Sequence, residues 1–359
     1  MVYLADCLWG CFAYPVKVGF NNMKAIVYTK YGPPDVLELK DVDKPTPKED
    51  EALVKVHAAS LNAADLEILR GRWSARFGGP LKPRHRTLGS DIAGRIEAVG
   101  RNIKRFQPGD EIWADLSLLG YGAFAEYVCI PKNALRLKPA RMTFEEAAAV
   151  PSAGANALQN LRGVGSSSPS FLLSDKGEIQ PGQKVLINGA GGGVGTFAVQ
   201  IAKSFGAEVT GVDSSSKLDM LRSIGADHVI DYTQEDFTKS GQRYDLILDV
   251  VASHSIFDYI RALSPKGIFV MVGGSGAAIL QAFILGPLIS MTGSKKLGIV
   301  MWKPNNQEDL AILEELFDTG KVVPVIDRRY PLSEVPEALR YLEEGHAKGK
   351  VVITVEQNN

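Results

Sequence analysis

Short runs of branched and apolar residues, separated by glycine, proline and charged turns, fill residues 23–140. The clearest runs are KAIVYTKYG, EALVKVHAASL, AGRIEAVG and GAFAEYVCI. Runs of this length and spacing are typical of short strands that pair with their neighbours. The pattern therefore predicts an antiparallel, β-rich domain of the barrel or sandwich type in this part of the chain.

The pattern changes at Thr143, where Thr-Phe-Glu-Glu precedes an alanine-rich segment. This is a capping-box sequence, which predicts a helix N-terminus, and we place a domain boundary near Pro151. Strand-like and helix-like segments then alternate from KVLING to GIFVMVGG, which predicts a parallel sheet with helices on both faces. The turn-rich end is expected to rejoin the first domain. The predicted α/β fold has one domain at 23–150 and 315–359 and a second at 151–314.

The most apolar run, AAILQAFILGPLI at 277–289, is shorter than the roughly 20 residues of a membrane-spanning helix. It also contains Gly286 and Pro287. We predict that it packs in the core or at a subunit interface rather than in a membrane; a lipophilic wall of a substrate pocket is the other alternative. The Ser- and Gly-rich segment 162–183 is predicted to be a surface excursion.

Composition narrows the class of protein. A chain of 359 residues with 45% hydrophobic and 23% charged residues is typical of a globular protein and long enough for two domains. The formal net charge of −1, without a basic stripe, argues against a nucleic-acid partner. Three cysteines provide no disulfide framework, which indicates a reducing, cytoplasmic location. Residues 1–22 lack the basic start of a signal peptide and are interpreted as an extension before a natural start at Met23.

A glycine-rich turn gives the strongest chemical signal. In KVLINGAGGGVGTFAVQIAKSFGAEVTGVD a strand, a glycine turn, a helix and a second strand with a terminal acidic residue follow one another. Glycines let the backbone approach a pyrophosphate, whose charge then meets the amides and positive end of the helix. This is the dinucleotide-binding arrangement of the Rossmann fold; the alternative is a turn that only packs the helix on the strand. The candidate residues are Ala190, Gly191, Gly192, Gly193, Val194 and Asp213.

Several motifs in a fixed order make a family resemblance specific. They are GSDIAGRIEAVG at 89–100, QPGDEIW at 107–113, GAFAEYV at 122–128, the GGGVG turn and IGADHVIDY at 224–232. Together they resemble the medium-chain dehydrogenases and reductases, and within them the zeta-crystallin-like quinone oxidoreductases and the chloroplast-envelope quinone oxidoreductase homologues. The resemblance covers nearly all of 23–356 and implies a GroES-like catalytic domain beside a Rossmann cofactor domain.

The resemblance also shows where the zinc ligands of related enzymes are absent. In the zinc-dependent branch a Cys stands at the position of Asn62, and Gly-His-Glu stands where this chain has Gly89, Ser90 and Asp91. The cysteine-rich lobe that holds structural zinc is also missing. We therefore predict no metal site. Without a Lewis acid, the acceptors that remain easy to reduce are those that delocalise the negative charge of the incoming hydride. Quinones and α,β-unsaturated carbonyl compounds are of this kind.

Catalytic and substrate candidates follow from the same comparison. Asn62 is the first candidate for orienting the carbonyl, and a helix cap is an equally good interpretation. Asp65 matches an acidic residue of the family, although a first-turn helix charge is the simpler interpretation. Related enoyl reductases place a proton-donating tyrosine where this chain has Trp73, which puts their mechanism in doubt. Trp73 and Phe77 are predicted either to line an apolar substrate pocket or to pack in the core.

The choice of cofactor depends on the residues after the second strand. Asp213 would accept a hydrogen bond from a ribose hydroxyl and repel a phosphate, which favours NADH. Ser214, Ser215 and Lys217 follow, and Tyr232 ends the next strand, at positions where NADPH-using relatives hold the phosphate. We predict NADPH, with NADH as the alternative, because charge-assisted bonds are the stronger ones. The resemblance adds as cofactor-binding candidates Asn156, Val272, Gly273 and Gly274.

These observations predict a zinc-independent oxidoreductase that transfers hydride from NADPH to a quinone or an α,β-unsaturated carbonyl compound. Two alternatives stay open. One is a 2-alkenal reductase that detoxifies lipid aldehydes, and the other is a cofactor-binding protein without catalytic activity. The resemblance further implies a homodimer through the strand GSKKLGIVMW and the apolar run at 277–289.

Overall fold

Two large sheets and a two-stranded ribbon organise the chain in a computed structural model, which describes residues 22–72, 79–162, 179–274, 276–300 and 302–355. The strands are β1 Asn22–Val27, β2 Glu38–Asp43, β3 Glu51–Ser60, β4 Asp91–Val99, β5 Glu111–Asp115, β6 Tyr127–Pro131, β7 Arg136–Leu137, β8 Lys184–Asn188, β9 Glu208–Asp213, β10 His228–Asp231, β11 Tyr244–Asp249, β12 Leu263–Met271, β13 Lys296–Ile299, β14 Ile326–Pro331 and β15 Lys350–Thr354. The α-helices are α1 Ala63–Leu69, α2 Phe144–Ala148, α3 Pro151–Arg162, α4 Gly193–Ser204, α5 Leu218–Ser223, α6 Ile256–Ala262, α7 Gly276–Thr292, α8 Gln307–Asp318 and α9 Val335–Glu343.

The first large sheet is mostly antiparallel and has the order β14-β15-β3-β4-β5-β7, with β6 also paired to β3. Strands β14 and β15 come from the end of the chain, so the C-terminal segment completes a sheet begun more than 200 residues earlier. The register aligns Ser60 of β3 with Asp91 of β4, and Asp91 with Asp115 of β5. A row of polar residues therefore crosses this end of the sheet.

The second large sheet is parallel throughout and has the order β10-β9-β8-β11-β12-β13. Its central strands are apolar because helices cover both faces. In β8, Val185 and Ile187 face the cluster formed with α3, α4 and α8, whereas Leu186 faces the cluster formed with α6 and α7. The predicted α/β class, with a β-rich domain beside a Rossmann domain, is thus confirmed. The proposed division of the chain at residues 150 and 314 stays a prediction.

Local signals explain where α2 begins and where α7 lies. Thr143 caps α2 as its sequence predicts: its hydroxyl accepts a hydrogen bond from Glu146 N at 3.1 Å, and Glu146 Oε2 accepts one from Thr143 N at 2.8 Å. Core packing, one of the alternatives for 277–289, is confirmed only in part: α7 buries Ala282 and Gly286, and a further set packs partly buried against the core, namely Ala278, Ile279, Leu285 and Ile289. Its exposed apolar side chains are Leu280, Phe283, Ile284, Leu288 and Met291. Within the described residues, no helix combines the length and the apolar character that crossing a membrane would require.

Candidate functional site

The glycine turn lies between β8 and α4 and has the geometry of an anion-binding site. Gly189 has a φ of +78°, which favours glycine, and its carbonyl accepts a hydrogen bond from Gly192 N at 3.2 Å. A Cβ on Gly195 would lie 2.2 Å from the same carbonyl oxygen, so only glycine lets α4 pack this closely. The first N–H groups of α4 have no acceptor within the helix, and its dipole adds positive potential. These features fit the pyrophosphate of a dinucleotide.

Asp213, at the end of β9, holds this turn in place. One carboxylate oxygen accepts a hydrogen bond from Gly191 N at 2.8 Å, and the other accepts one from Ser214 N at 2.8 Å. The side chain is 9% exposed. Each carboxylate oxygen has a second lone pair, so these backbone bonds leave capacity for a ribose hydroxyl. Asp213 therefore has a structural role in addition to the predicted one.

The predicted phosphate-binding residues surround Asp213. Lys217 is buried, with its ammonium 3.4 Å from Asp213 Oδ1, and it donates a hydrogen bond to Gly345 O at 3.1 Å. The hydroxyls of Ser214 and Ser216 lie 3.2 Å apart at the surface beside Ser215. Tyr232 is 60% exposed, and its N–H donates to Asp213 O at 3.2 Å. The structure thus brings these residues to one edge of the cofactor sheet.

Other predicted cofactor residues lie at the carboxyl ends of neighbouring strands or on α3. Val272 N donates to Asp249 O at 2.8 Å, which places Val272, Gly273 and Gly274 beside the end of β11. Asn156 is half-buried on α3, and its side-chain oxygen accepts a hydrogen bond from Asn160 Nδ2 at 2.8 Å. Ala190 is buried under the turn, and Val194 packs partly against the core.

A second polar cluster lies where α1 meets the ends of β4 and β15. Asn62 is the N-cap residue of α1, and its N–H donates to Asp65 Oδ2 at 2.8 Å in a capping box. Its side-chain amide nitrogen donates to Ser90 Oγ at 3.1 Å and to Asp91 Oδ2 at 3.0 Å. The two positions that lack zinc ligands are therefore adjacent. Asn62 therefore stands at the helix cap, as one interpretation predicted, and its side-chain amide also faces the sheet.

Lys350 is the cation of this cluster. Its side chain is 2% exposed and donates hydrogen bonds to Leu61 O at 2.9 Å, to Asn62 Oδ1 at 2.7 Å and to Asp91 Oδ2 at 3.3 Å. Asp91 is fully buried and also accepts bonds from Ser60 Oγ at 3.1 Å and from Ser152 N at 2.9 Å. A buried ion pair with this many donors satisfies the charges of both partners.

Asp65 lies in the first turn of α1, as the simpler interpretation predicted, but it is buried rather than solvated. Its carboxylate accepts hydrogen bonds from Asn62 N at 2.8 Å and from Gly89 N at 3.2 Å. Burial raises the pKa of Asp65 to about 7, against the opposing effect of these two bonds. The carboxyl group ties the segment that carries Asn62 to the segment that carries Ser90.

A second buried carboxyl group, Asp115, faces Asp91 across the sheet. Its Oδ1 accepts hydrogen bonds from the N–H and the hydroxyl of Ser117, while its Oδ2 is buried and has no hydrogen-bond partner among the described residues. Burial and the nearby Asp91 raise the pKa of Asp115 to about 7. Tyr121 lies in the loop after β5 with a φ of +62°, a strained conformation of the kind found near functional sites.

The end of the chain joins the glycine turn to the polar cluster. Gly349 N donates to Gly191 O at 2.9 Å, and Gly349 also forms an isolated parallel bridge with Gly192. The next residue is Lys350, and a Cβ added to Gly193 would lie 3.0 Å from Lys350 Cδ. The cofactor turn and the buried ion pair are therefore neighbours. The predicted pocket residues Trp73 and Phe77 lie outside the described residues.

Sequence reasoning singled out Asn62, Asp65 and the turn but missed the residues that connect them. Lys350 begins an apolar strand and Asp115 ends one, and a charge at the edge of an apolar run was the available signal. Their partners are far away in the chain, so the pairing itself left no local pattern. Among the described residues, no group of three or more His, Cys, Asp or Glu side chains is arranged to hold a metal ion.

Comparisons with known proteins match both halves of the architecture. The family described as alcohol dehydrogenase GroES-like domain matches residues 48–140, and the family described as zinc-binding dehydrogenase matches residues 224–353. The chain is 35% identical to 2-methylene-furan-3-one reductase from Solanum lycopersicum, across 93% of this chain and 79% of that protein. It is 33% identical to the chloroplast envelope quinone oxidoreductase homolog from Arabidopsis thaliana, across 92% of this chain and 98% of that protein.

A solved structure agrees with this relationship. The quinone oxidoreductase from Coxiella burnetii superposes with a TM-score of 0.81 at 29% identity, and the match covers 93% of this chain and 100% of that one. The matched order of modules, the parallel cofactor sheet and the glycine turn agree with one another. The chain therefore belongs to the medium-chain dehydrogenase/reductase superfamily and is an oxidoreductase of the quinone and alkenal reductase type.

Proposed function

We propose that this chain is a zinc-independent reductase that uses NADPH to reduce quinones or α,β-unsaturated carbonyl compounds. The observation that carries the proposal is the direct contact between the glycine turn and the buried cluster, through Gly349, Lys350 and Asn62. The same short segment touches the predicted pyrophosphate site and orients polar groups at the neighbouring position. The relatives, a 2-methylene-furan-3-one reductase and quinone oxidoreductases, support this substrate class.

The residues of the cofactor edge fit a dinucleotide. The N–H groups at the start of α4 would bind its pyrophosphate, and the hydroxyls of Ser214 and Ser215 with the Lys217 ammonium would bind a 2′-phosphate. Lys217 is held by Asp213 and Gly345, so its charge is fixed beside the turn. We therefore retain NADPH over NADH. When bound, the reduced nicotinamide supplies hydride.

The residues of the buried cluster do not fit a catalytic zinc ion. Asn62 and Ser90 offer an amide and a hydroxyl in place of thiolate and imidazole ligands. The Lys350 ammonium donates to the Asn62 oxygen and to Asp91, so a positive charge already occupies the coordination shell of both groups. A divalent cation would have to displace this lysine. We therefore propose no catalytic zinc site for this chain, although the matched family is described as zinc-binding dehydrogenase.

Without a metal, the chain stabilises the reaction through fixed hydrogen bonds. Asn62 acts on the substrate oxygen through the polar edge that it forms with Ser90. The buried ion pair holds this edge rigid, and fixed donors stabilise developing negative charge better than mobile ones. Conjugated acceptors need only such modest stabilisation, because the enolate or hydroquinone anion is delocalised. Protonation from water then completes the reduction.

The assembly and location are part of the same proposal. We propose a homodimer in which β13, at the edge of the cofactor sheet, pairs with the same strand of the second subunit. The exposed apolar face of α7 is then covered in the dimer interface. We retain the cytoplasm as the location. The relative from Arabidopsis thaliana has a chloroplast envelope name, so imaging of the full chain with a C-terminal fluorescent tag tests the compartment.

An acceptor panel tests the proposed function. Oxidation of NADPH and of NADH is followed with an aromatic ortho-quinone and with a medium-chain enone. We expect turnover of at least one acceptor and a preference for NADPH. Preference for the enone would favour the alkenal reductase. Tight cofactor binding without turnover of either acceptor would favour a non-catalytic binding protein and contradict the proposal.

A further inference from the structure

The side chain of Asn62 has no hydrogen left for a substrate. Its amide nitrogen carries two hydrogens, and these point to Ser90 Oγ at 3.1 Å and to Asp91 Oδ2 at 3.0 Å. Its oxygen accepts a hydrogen bond from the Lys350 ammonium at 2.7 Å. Direct donation from this amide to a carbonyl would require one of these bonds to break.

Ser90 has the hydrogen that Asn62 lacks. A hydroxyl donates one hydrogen and accepts through its lone pairs, and Ser90 Oγ is the acceptor in its bond with Asn62. Within the described residues, Ser90 Oγ donates to no acceptor. The serine backbone is fixed, because Ser90 O accepts a bond from Leu116 N at 2.8 Å, and the residue is 5% exposed.

The bonds from Lys350 to Asn62 and from Asn62 to Ser90 run in one direction. The ammonium donates to the amide oxygen, and the amide nitrogen donates to the hydroxyl oxygen. Such a chain polarises each successive donor, so the Ser90 O–H becomes a stronger donor than an isolated hydroxyl. Asp65 accepts from the backbone N–H groups of Asn62 and Gly89 and so holds both ends of the amide–hydroxyl pair in register.

We propose that Ser90, and not Asn62, donates the hydrogen bond to the substrate carbonyl oxygen, and that Asn62 and Lys350 are positioning residues. This inference rests on the proposed function. The β-carbon of the substrate accepts hydride and its electron pair, the carbon–carbon double bond is reduced, and the nicotinamide is oxidised. The displaced π electrons move to the carbonyl oxygen, where Ser90 shares but keeps its proton. The α-carbon then takes a proton from water.

Two pairs of variants test this role. Ser90→Ala removes the hydroxyl, and we expect kcat for the enone to fall about 100- to 1000-fold, in line with the loss of one preorganised donor. The dissociation constant of NADPH should stay unchanged. Ser90→Thr should retain most of the activity, whereas Ser90→Val, of nearly the same shape, should lose it. This second pair keeps the test valid if Ser90→Ala is poorly folded.

An infrared measurement gives a readout independent of turnover. The carbonyl stretch of a carbon-13-labelled saturated ketone, bound with NADP⁺, should lie at lower frequency in the wild type and in Ser90→Thr than in Ser90→Ala and Ser90→Val. Suppose that the wild type turns over and that Ser90→Ala and Ser90→Val keep the same kcat and the same carbonyl stretch. This result would overturn the role of Ser90 and leave the proposed function intact. A wild type that reduces no acceptor would overturn the proposed function and this inference with it.

Discussion

Replacing Lys350 with methionine isolates the contribution of the buried ion pair to stability. Methionine preserves most of the stem but removes the ammonium, which leaves the fully buried Asp91 without its cation. Breaking a buried pair on one side costs about 3 to 5 kcal/mol. Because Asp91 keeps its bonds from Ser60, Asn62 and Ser152, we expect the lower end, about 3 kcal/mol. With an unfolding entropy of about 2.1 cal/mol/K per residue over 359 residues, this lowers the melting temperature by about 4 °C.

Differential scanning calorimetry measures this change, with Lys132→Met as the matched control. Lys132 pairs with Asp50 at 2.7 Å, but the two side chains are 51% and 57% exposed, so its replacement should leave the melting temperature unchanged. Adding Asp91→Asn to Lys350→Met should restore part of the loss, because the uncompensated charge is removed. A decrease for Lys350→Met no larger than that of Lys132→Met would refute the assignment of a stabilising buried pair.

Four further predictions address the cofactor, metal, titration and assembly. Lys217→Ala should weaken NADPH binding more than NADH binding, and an unchanged dissociation constant for NADPH in this variant would contradict the role of Lys217. Tighter NADPH binding by Asp213→Ala, with a wild type that prefers NADH, would show that Asp213 governs the choice. The purified protein should hold no stoichiometric zinc and should keep its activity in the presence of chelators. One zinc ion per chain, with loss of turnover when a chelator removes it, would contradict this prediction. The pKa of Asp115 is raised to about 7 in the folded state. Between about pH 4 and 7 its carboxyl group therefore holds a proton in the folded state but loses it in the unfolded chain, so the stability falls as the pH rises. The melting temperature of Asp115→Asn should therefore rise relative to the wild type over that window, and a constant difference across it would contradict the buried titration. Leu288→Glu on α7 should convert a dimer into monomers in light scattering, and a monomeric wild type would show the proposed interface to be wrong.

Features encoded by neighbouring residues could be predicted from the sequence. The capping box at Thr143 depends on residues three apart, and the structure contains it. The glycine turn follows from one strand, one turn and one helix, and the structure places Gly191 against Asp213 as that order implies. Both features form within a single stretch of chain, so their physical causes are visible in the order of residues.

Features that depend on distant contacts could not be predicted. Lys350 lies 288 residues from Asn62 and 259 from Asp91, and a lysine in a strand is usually solvent-exposed. Asp65 is buried because the segment at Gly89 packs over it, which its position in the first turn of a helix does not indicate. The apolar character of α7 predicts burial, but much of this face is exposed in the part of the subunit that the structure describes.

Tracing the hydride tests the central claim most directly. The wild-type enzyme is given an enone and NADPH that carries deuterium at the transferring position of the nicotinamide, in ordinary water, and the product is analysed by nuclear magnetic resonance. The account predicts a saturated ketone with deuterium on the β-carbon and a solvent-derived hydrogen on the α-carbon. Deuterium on the carbonyl carbon of an allylic alcohol would contradict it, because that product requires reduction of the carbonyl group itself.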